Sequence, residues 1–457
     1  MSLHSNDSVV EGVLQESLFR DSWEQEIVPS LPKNLEEQAW RLGAMSRKGG
    51  KVQTASDLLR SILAYVLTAK SFKAIGLWGV ITGIADLADT SWRERFRKSG
   101  DWLYWLLNEL LRIERQNPSP LLKKAGYERI EIADASHWNL RGKRGKTWRF
   151  HCLYSLCSQR LHQVRITSTK VAEGIGNFII QQGVIYVHDS AYGYRNMIAA
   201  ISKGGAYAVS AFYPGSFPLE DAEGKAFDLL AWLKKFHAKP KSIKSISLFY
   251  QENGQKYEVR IIALKRTPEQ RERDLRRKKI NAKRNKSTMQ KESLYLSNWL
   301  LVLTTLPAKD WTAQEVLSLY RARWQIEILF KRIKQLLMTH VLNGRTEQTI
   351  KATVAALLIS WVLQQEVAVE LRSLLEDMYR ELDVSPGNEA EEEAIRLVSE
   401  WRVQYVCSDL LRQQVQGPRT RQRVLECMPK LERHFRDSLR KRTQQWHRVG
   451  SAPLNGG

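Results

Sequence analysis

The amino-acid sequence predicts an α/β protein whose core is a mixed β-sheet flanked by helices. The first observation is the alternation of apolar and polar residues in "YERIEIADAS", "TWRFHCLYSL" and "RLHQVRITST", which indicates three consecutive strands. The second is the alternation of helix-like and strand-like segments that follows, up to residue 210. The third is the three- and four-residue spacing of apolar residues on both sides of this region, which indicates flanking helices. Together these patterns are typical of a mixed sheet covered by helices.

The region before the sheet, residues 36–115, is predicted to be helical. Its second long segment, "TSWRERFRKSGDWLYWLLNELLRIER", is predicted as one helix with Thr90 or Ser91 as its N-cap and four basic residues near its start. Two interpretations remain open. The helices around "GIADLADT" form either a helix-turn-helix-like unit that presents a basic helix to DNA, or a bundle with a charged exterior.

Within the sheet region, two aspartates are predicted at strand ends. Asp134 follows the apolar residues of the first strand, and Asp189 follows "VIYVH". The segment between them, "VAEGIGNFIIQQG", is predicted as a helix, which makes the two strands parallel and adjacent. Open sheets build their sites at the carboxyl ends of such strands, although an aspartate there is commonly only a turn former or helix cap.

Residues 211–296 combine strand-like pieces with a very basic segment, "PEQRERDLRRKKINAKRNK", which has no apolar stripe and is predicted to be an exposed helix. We expect it to contact phosphates through Arg276, Arg277, Lys278 and Lys279. A buried strand, "NWLLVLTTL", and a helix beginning near residue 312 follow. The chain then continues as helices of mixed charge, with an acidic patch "NEAEEEA".

The composition narrows the classes of function. The net charge of +22 predicts a polyanionic partner, although ribosome-associated and membrane-surface proteins share this property. The polar start of the chain shows no secretory signal, and "VAALLISWVL" is too short for a membrane span and is predicted as a buried helix. The four cysteines form no CxxC and no zinc-ligand spacing, which favours a reducing cytoplasm.

The segment "YRARWQIEILFKRIK" holds a single carboxylate among basic residues. At about 100° per residue, Tyr320, Arg323, Glu327 and Lys334 fall within an arc of roughly 60° on one helix. The simplest interpretation is a solvated stripe with a Glu327–Lys331 ion pair. Three carboxylates converging at one sheet edge, however, would repel one another without a cation, and Mg²⁺ prefers carboxylate and phosphate oxygens. Glu327 would then join Asp134 and Asp189 as a metal ligand.

These four residues fit the pattern Y-x2-R-x3-E-x6-K, and the chain therefore resembles the IS4-type DDE transposases, the group that includes the Tn5 transposase. The resemblance covers residues 126–365 and implies an RNase H-like α/β core with a β-rich insertion. It implies that Asp134, Asp189 and Glu327 are the catalytic, metal-binding triad, with two Mg²⁺ ions that Mn²⁺ can replace. One position departs from the family, since Ser190 stands where an arginine commonly follows the second aspartate.

The resemblance also implies roles for residues around the triad. Tyr320, Arg323 and Lys334 would contact phosphates at the transposon end, with Lys331 nearby. Trp299 and Trp324 would lie around a flipped DNA base, beside the DNA hairpin that Tn5-like members form. Both tryptophans are also suited to packing in the core. The neighbours of the two aspartates, His137 and His188, are expected to serve as local hydrogen-bonding groups.

The implied protein is an insertion-sequence transposase that binds terminal inverted repeats and target DNA as a homodimer in the bacterial cytoplasm, at the nucleoid. Two alternatives stay open: a domesticated DNA-binding protein with this fold, and a metal-dependent nuclease without strand transfer. The expected domains are an end-binding helical domain (1–125), a core in two parts (126–210 and 296–370), a β-rich basic insertion (211–295) and a helical C-terminal domain that contributes to dimerisation (371–457).

Overall fold

The computed structural model describes residues 23–46, 51–68, 71–116, 126–140, 147–236, 239–284, 286, 288, 290–337, 341–342, 346–382, 400–417, 426–427 and 430. The chain divides into two compact units. One comprises residues 1–107 and 344–457, and the other comprises residues 108–343. The expectations for the N-terminal start and for "NEAEEEA" lie outside the described residues.

The first unit is helical. Its helices are α1 (Leu35–Arg41), α2 (Ala55–Leu67), α3 (Phe72–Thr82), α4 (Asp89–Lys98), the start of α5 (Gly100–Gln116), α12 (Glu347–Leu363), α13 (Gln365–Leu382) and α14 (Glu400–Gln416). Helix α2 packs against α12 and α14, and α12 also packs against α4. These contacts form a helical bundle.

The long helix predicted from Thr90 is wrong in two details. It starts at Asp89 after Ala88, without a side-chain cap, and it is divided at Ser99 into α4 and α5. Ser99 is fully buried and its hydroxyl donates to the Arg95 carbonyl, so the end of α4 is held by a residue whose short polar side chain favours helix ends.

Helix α12 confirms the prediction of a buried helix for "VAALLISWVL", because residues 352–362 are all buried. The stretch Glu347–Leu374 is long and apolar enough to span a membrane by length and composition, but 88% of its most apolar window is buried inside the protein. The burial accounts for its apolar character as the central helix of the bundle.

The second unit is built on one mixed sheet. Its strands are β1 (Ile130–Leu140), β2 (Thr147–Ser155), β3 (Leu161–Ser168), β4 (Ile185–His188), β5 (Tyr207–Ala211), β6 (Ile243–Glu252), β7 (Gln255–Lys265), β8 (Trp299–Thr304) and β9 (Val341–Leu342). The order is β3-β2-β1-β4-β5-β8-β7-β6, with β9 paired to the end of β1. This arrangement confirms the predicted RNase H-like α/β core, and β6 and β7 of the basic insertion extend the same sheet.

The helices of this unit are α6 (Arg195–Lys203), α7 (Leu229–Lys234), α8 (Pro268–Arg284), α9 (Lys291–Leu296), α10 (Ala313–Ala322) and α11 (Gln325–Leu336). Strands β1, β4 and β5 are parallel, so their carboxyl ends share one edge of the sheet. Strand β8 is antiparallel to β5 and to β7. It therefore begins, and β7 ends, at this same edge, which we call the catalytic edge after the two aspartates that the sequence predicts to be catalytic.

The helix predicted for "VAEGIGNFIIQQG" is absent, and the segment contains a single 3₁₀ turn, Ile175–Asn177. Three glycines lower the helix propensity of this segment. The side chain of Gln163 on β3 also bonds both backbone groups of Ile179, at 2.9 and 3.0 Å, which holds the chain in an irregular course along the sheet.

The helix predicted from residue 312 is present but divided. Thr312 and Glu315 form a capping box that starts α10, whereas Arg323 and Trp324 separate α10 from α11. At this break the N–H groups of Arg323, Ile326 and Glu327 donate to carbonyls three residues earlier, in the 3₁₀ manner. No proline or glycine marks the position, so the apolar periodicity alone suggested one continuous helix.

Candidate active site

Asp134 and Asp189 are brought together by the parallel pairing of β1 and β4. The pairing ends at Ala133 and His188, and each aspartate is the next residue in the chain. The sequence predicted Asp134 at the end of its strand, which is wrong, because β1 continues to Leu140 in its pairing with β2. The Asp189 carboxylate accepts a bond from the Ala191 N–H at 2.8 Å and so caps a 3₁₀ turn, which fixes its position at the catalytic edge.

The electrostatics of Asp134 favour a bound cation. Burial, aided by the charge of Asp189 and opposed by the Ala135 N–H and by Arg323, raises the pKa of Asp134 to about 7. A divalent cation between two carboxylates would remove both the desolvation cost and the repulsion, and carboxylate oxygens are the ligands that Mg²⁺ and Mn²⁺ accept. The donor set at the catalytic edge therefore fits a divalent metal.

Glu327 lies on the first turn of α11, with 59% of its side chain exposed. It pairs with Arg323 at 2.6 Å, rather than with Lys331 as the simplest interpretation of the stripe had it, and Arg323 also lies 3.9 Å from the Asp134 carboxylate. Arg323 thus links two of the three predicted ligands. Within the described part of the chain, no group of three or more His, Cys, Asp or Glu side chains stands close enough to hold a metal ion.

Tyr320 and Lys334 extend this surface in both directions along the two helices. Burial raises the pKa of Tyr320, and the charge of Arg323 and a hydrogen bond from it oppose the rise. Lys334 donates to the Ser136 hydroxyl at 2.6 Å, and burial lowers the pKa of its ammonium group. Ser136 lies on the same face of β1 as Asp134, so the stripe predicted from the sequence faces the aspartate side of the sheet.

The two tryptophans have different environments. Trp324 forms the corner between α10 and α11 and is 53% exposed beside Arg323. Trp299 is 2% exposed at the start of β8, where its indole stacks on Phe236 with ring centroids 5.8 Å apart and lies under the Lys265 ammonium. The structure therefore exposes the indole of Trp324 to solvent and packs the indole of Trp299 into the core.

The basic residues predicted to bind phosphates also divide by position. Lys331 is exposed on α11. Helix α8 carries the other four, of which Arg276, Arg277 and Lys279 are exposed and Lys278 is half-buried. Lys278 donates to the Ser297 hydroxyl at 2.8 Å, so this lysine has a structural partner.

Two site residues, Glu173 and Tyr192, were not identified from the sequence. Glu173 pairs with Arg149 at 3.3 Å, and its charge contributes to the raised pKa of Asp134. Tyr192 is fully buried near both aspartates, its hydroxyl has no hydrogen-bond partner among the described residues, and burial raises its pKa. The predicted helix at "VAEGIG" obscured Glu173, whereas the aromatic three residues after Asp189 was a visible signal for Tyr192.

The histidines beside the aspartates have local partners. His188 is fully buried and its Nδ1 lies 3.1 Å from the Asp189 carbonyl oxygen. His137 accepts a bond from the Arg149 guanidinium at 3.0 Å. Both contacts agree with the expected hydrogen-bonding roles.

Comparison with known proteins identifies the family. Residues 125–363, more than half of the chain, match the family described as "Transposase DDE domain". The chain belongs to the DDE transposases. It is 26% identical over 341 residues to the InsL protein, a putative transposase for insertion sequence element IS186A from Escherichia coli K12. The aligned region covers 74% of this chain and 90% of that protein. It is also 26% identical to the transposase for insertion sequence element IS421 from Escherichia coli, over 74% of this chain and 91% of that protein.

The family match agrees with the geometry at the catalytic edge. A DDE transposase is an enzyme that acts on DNA and depends on divalent metal. The matched region includes both aspartates, the stripe on α10 and α11 and all nine strands.

Proposed function

We propose that this DDE transposase binds the terminal inverted repeats of its own insertion sequence and moves the element by a cut-and-paste route. The observation that carries the proposal is the pairing of Asp134 and Asp189 on adjacent parallel strands, with Arg323 joining Asp134 to Glu327. A carboxylate pair that is electrostatically unfavourable alone, next to a cationic helix face, suits a metal and a phosphodiester together.

Asp134, Asp189 and Glu327 would hold two Mg²⁺ ions, for which Mn²⁺ can substitute. When bound, two such ions lower the pKa of an attacking water or 3′-hydroxyl and stabilise the leaving oxygen of an in-line displacement. In the structure Glu327 is held by Arg323 at 2.6 Å. Glu327 would therefore join the two aspartates only after Arg323 moves to another anion, and a DNA phosphate is the natural candidate.

The neighbouring cations would hold the DNA strand. Arg323 and Lys334 would contact phosphates on either side of the cleaved bond, with Tyr320 as a hydrogen-bond donor and Lys331 as an outer charge. The exposed face of Trp324 would stack on a base displaced from the duplex, which would assist a hairpin intermediate. For Trp299 to take part in this stacking, the Phe236 side of its pocket would have to open.

The remaining assignments follow from the family. The helical region before residue 126 would bind the transposon end, and the helices after residue 370 would contribute to a homodimer on DNA. The transposase would act on the bacterial nucleoid in the cytoplasm, where its net charge of +22 would favour association with DNA.

Cleavage of the inverted repeat that flanks the coding sequence would test this function. The wild-type protein and Glu327→Ala are incubated with an end-labelled duplex in Mg²⁺ or Mn²⁺, and products are separated on denaturing gels. We expect the wild type to nick at the end and yield a hairpin-sized product, and Glu327→Ala to bind without cutting. Nicking without joined products would indicate a metal-dependent nuclease. Binding by both proteins without cleavage by either would indicate a DNA-binding protein.

A further inference from the structure

Helix α8 begins at the catalytic edge of the sheet. Lys265, the last residue of β7, pairs with Trp299, the first residue of β8. Ala211, the last residue of β5, pairs with Val302, which lies three residues further along β8. The junction of β7 and β8 therefore projects beyond the carboxyl end of β5. Because β1, β4 and β5 are parallel, α8 starts at the edge that carries both aspartates.

A single buried carboxylate fixes α8 at this place. Asp274 is 7% exposed and forms ion pairs with Arg266 at 2.9 Å, Lys278 at 3.0 Å and Arg277 at 3.1 Å. Burial raises the pKa of Asp274, but the hydrogen bond from Lys278 and the three positive charges outweigh it, so the pKa lies below its ordinary value. We call these four residues the Asp274 cluster.

The Asp274 cluster ties the helix to the sheet. The Arg266 guanidinium also donates to the Ser297 carbonyl at 3.2 Å, and Lys278 donates to the Ser297 hydroxyl at 2.8 Å. The end of β7, the start of β8 and the middle of α8 are thereby held together. Three cations surround one carboxylate, so the cluster keeps an excess of two positive charges at the catalytic edge.

Two consecutive arginines on α8 differ in their surroundings. Arg276 and Arg277 are equally exposed, at 73% of each side chain. Arg276 pairs with the exposed Glu272 at 2.7 Å, whereas Arg277 contacts the buried Asp274. Burial raises the pKa of Tyr320, and among the charges that oppose this rise is that of Arg277, which places Arg277 within electrostatic range of the stripe.

We propose that Asp274 is a positioning residue that aims Arg277 at a DNA phosphate next to the Tyr320–Arg323 surface, so that α8 forms a second wall of the DNA-binding channel. This inference rests on the proposed function. The proposal assigns this role to Arg277 and not to its neighbours on α8. Lys278 is hydrogen-bonded to Ser297, and Arg276 points about 100° away from Arg277 around the helix axis. The guanidinium of Arg277 reaches solvent while Asp274 limits its freedom, which reduces the entropy lost on binding.

The test uses the full-length protein and a duplex that carries its own inverted repeat, beside a scrambled duplex of equal length. Wild type, Arg277→Ala, Arg276→Ala and Asp274→Asn are compared for binding over a range of salt concentrations. In a second series, single phosphates around the cleavage site are replaced by neutral methylphosphonates. Arg276→Ala is the matched control, since it removes an equally exposed arginine from the adjacent position.

We expect Arg277→Ala to weaken binding of the repeat about 10-fold or more and to reduce the slope of log Kd against log salt by about 1. Arg276→Ala should cause a smaller loss, from the general decrease in positive charge. One methylphosphonate should weaken binding by wild type and Arg276→Ala but not by Arg277→Ala. Asp274→Asn should lose sensitivity to the same phosphate, and the double variant Asp274→Asn/Arg277→Ala should bind no worse than Arg277→Ala.

Equal effects of Arg276→Ala and Arg277→Ala, or methylphosphonate sensitivities that Arg277→Ala leaves unchanged, would overturn the inference. Asp274 is buried, so Asp274→Asn could fail to fold, but Arg277→Ala changes an exposed side chain and by itself tests the phosphate contact on which the positioning role of Asp274 depends. If wild type cuts the repeat and Arg277→Ala shows no phosphate-specific loss, only this inference fails. If wild type neither binds nor cuts the repeat in preference to the scrambled duplex, the proposed function fails as well.

Discussion

Glu131 and Asp134 lie three residues apart on β1, and their carboxyl groups have opposite electrostatic surroundings. Glu131 is fully buried, accepts a bond from Arg129 at 2.7 Å and pairs with His162 at 2.8 Å. Burial raises its pKa, but these two partners outweigh burial and bring the pKa below its ordinary value. For Asp134, burial and the nearby charge of Asp189 prevail, and the pKa rises to about 7.

The comparison shows how one strand separates a structural carboxylate from one that we propose is functional. Alternation along β1 turns the two side chains to opposite faces of the sheet. The charge of Glu131 is compensated within the protein by Arg129 and His162, and Ser158 in turn contacts His162 at 3.2 Å. Burial and the charge of Asp189, by contrast, disfavour the ionised form of Asp134. The Arg323 guanidinium lies beside it, 3.9 Å from the Asp134 carboxylate. Charged groups that the fold does not satisfy mark functional sites.

The largest expected effect is on catalysis at Asp134. Asp134→Asn removes an oxygen of the proposed metal ligand with almost no change in volume, and the lost transition-state stabilisation of several kcal/mol should lower the cleavage rate by about 10³-fold or more. The rate is measured in single-turnover cleavage of the inverted repeat, with binding affinity measured in parallel. A rate within 10-fold of wild type would contradict the assignment of Asp134.

The next largest effect is on folding at Glu131. Glu131→Gln leaves Arg129 and His162 without their anionic partner in a buried place, which should cost about 2–4 kcal/mol of the free energy of unfolding. Urea denaturation followed by tryptophan fluorescence measures this. The exposed Glu258→Gln on β7 is the control, with an expected change below about 0.5 kcal/mol.

The opposite sign of effect is expected for the stability of Asp134→Asn. Because the folded-state pKa of Asp134 lies above its unfolded value, ionisation at high pH destabilises the metal-free protein. In EDTA at pH 8, Asp134→Asn should be more stable than wild type by about 1–2 kcal/mol. The difference should shrink as pH falls through 7 towards 5, and thermal unfolding at several pH values measures it. A variant less stable than wild type at pH 8 would show that Asp134 has a structural role.

The smallest expected effect separates the two carboxylates by metal binding. Addition of Mn²⁺ at about 10 times its Kd should stabilise the wild type by about 1.4 kcal/mol, through binding to the folded state alone. Asp134→Asn should lose this stabilisation, whereas Glu131→Gln should keep it on a lower baseline. The shift of Tm with Mn²⁺ in thermal unfolding measures both. Loss of the shift in both variants would mean that Glu131 also supports the metal site.

Much of this architecture could be predicted from local patterns. Strand alternation located β1 to β3, and an apolar run located β4. The parallel, adjacent placement of β1 and β4 is correct, although the connecting helix from which it was predicted is absent. The division of the Glu327 helix could not be predicted, because no helix-breaking residue marks the 3₁₀ bonds at Arg323 and Trp324. The same holds for Glu173, whose place near Asp134 depends on the tertiary contact with Arg149.

Long-range pairing explains the other surprises. The spacing of basic residues on α8 was visible in the sequence, but the distinction between Arg276 and Arg277 depends on the buried Asp274. Trp299 fitted two interpretations from sequence alone. Its burial beside Phe236 follows from the position of β8 between β5 and β7 in the sheet.

The helical unit is assembled from both ends of the chain, and this has a consequence for synthesis. The Arg60 guanidinium on α2 donates to the Val415 carbonyl at 3.0 Å, and the Trp78 indole donates to the Gln416 carbonyl at 3.0 Å. These contacts join residues more than 330 positions apart, so the ribosome must synthesise the chain as far as Gln416 before α2 and α3 can make them. A prematurely terminated chain that lacks α14 would expose apolar helix faces and become a substrate for chaperones and proteases.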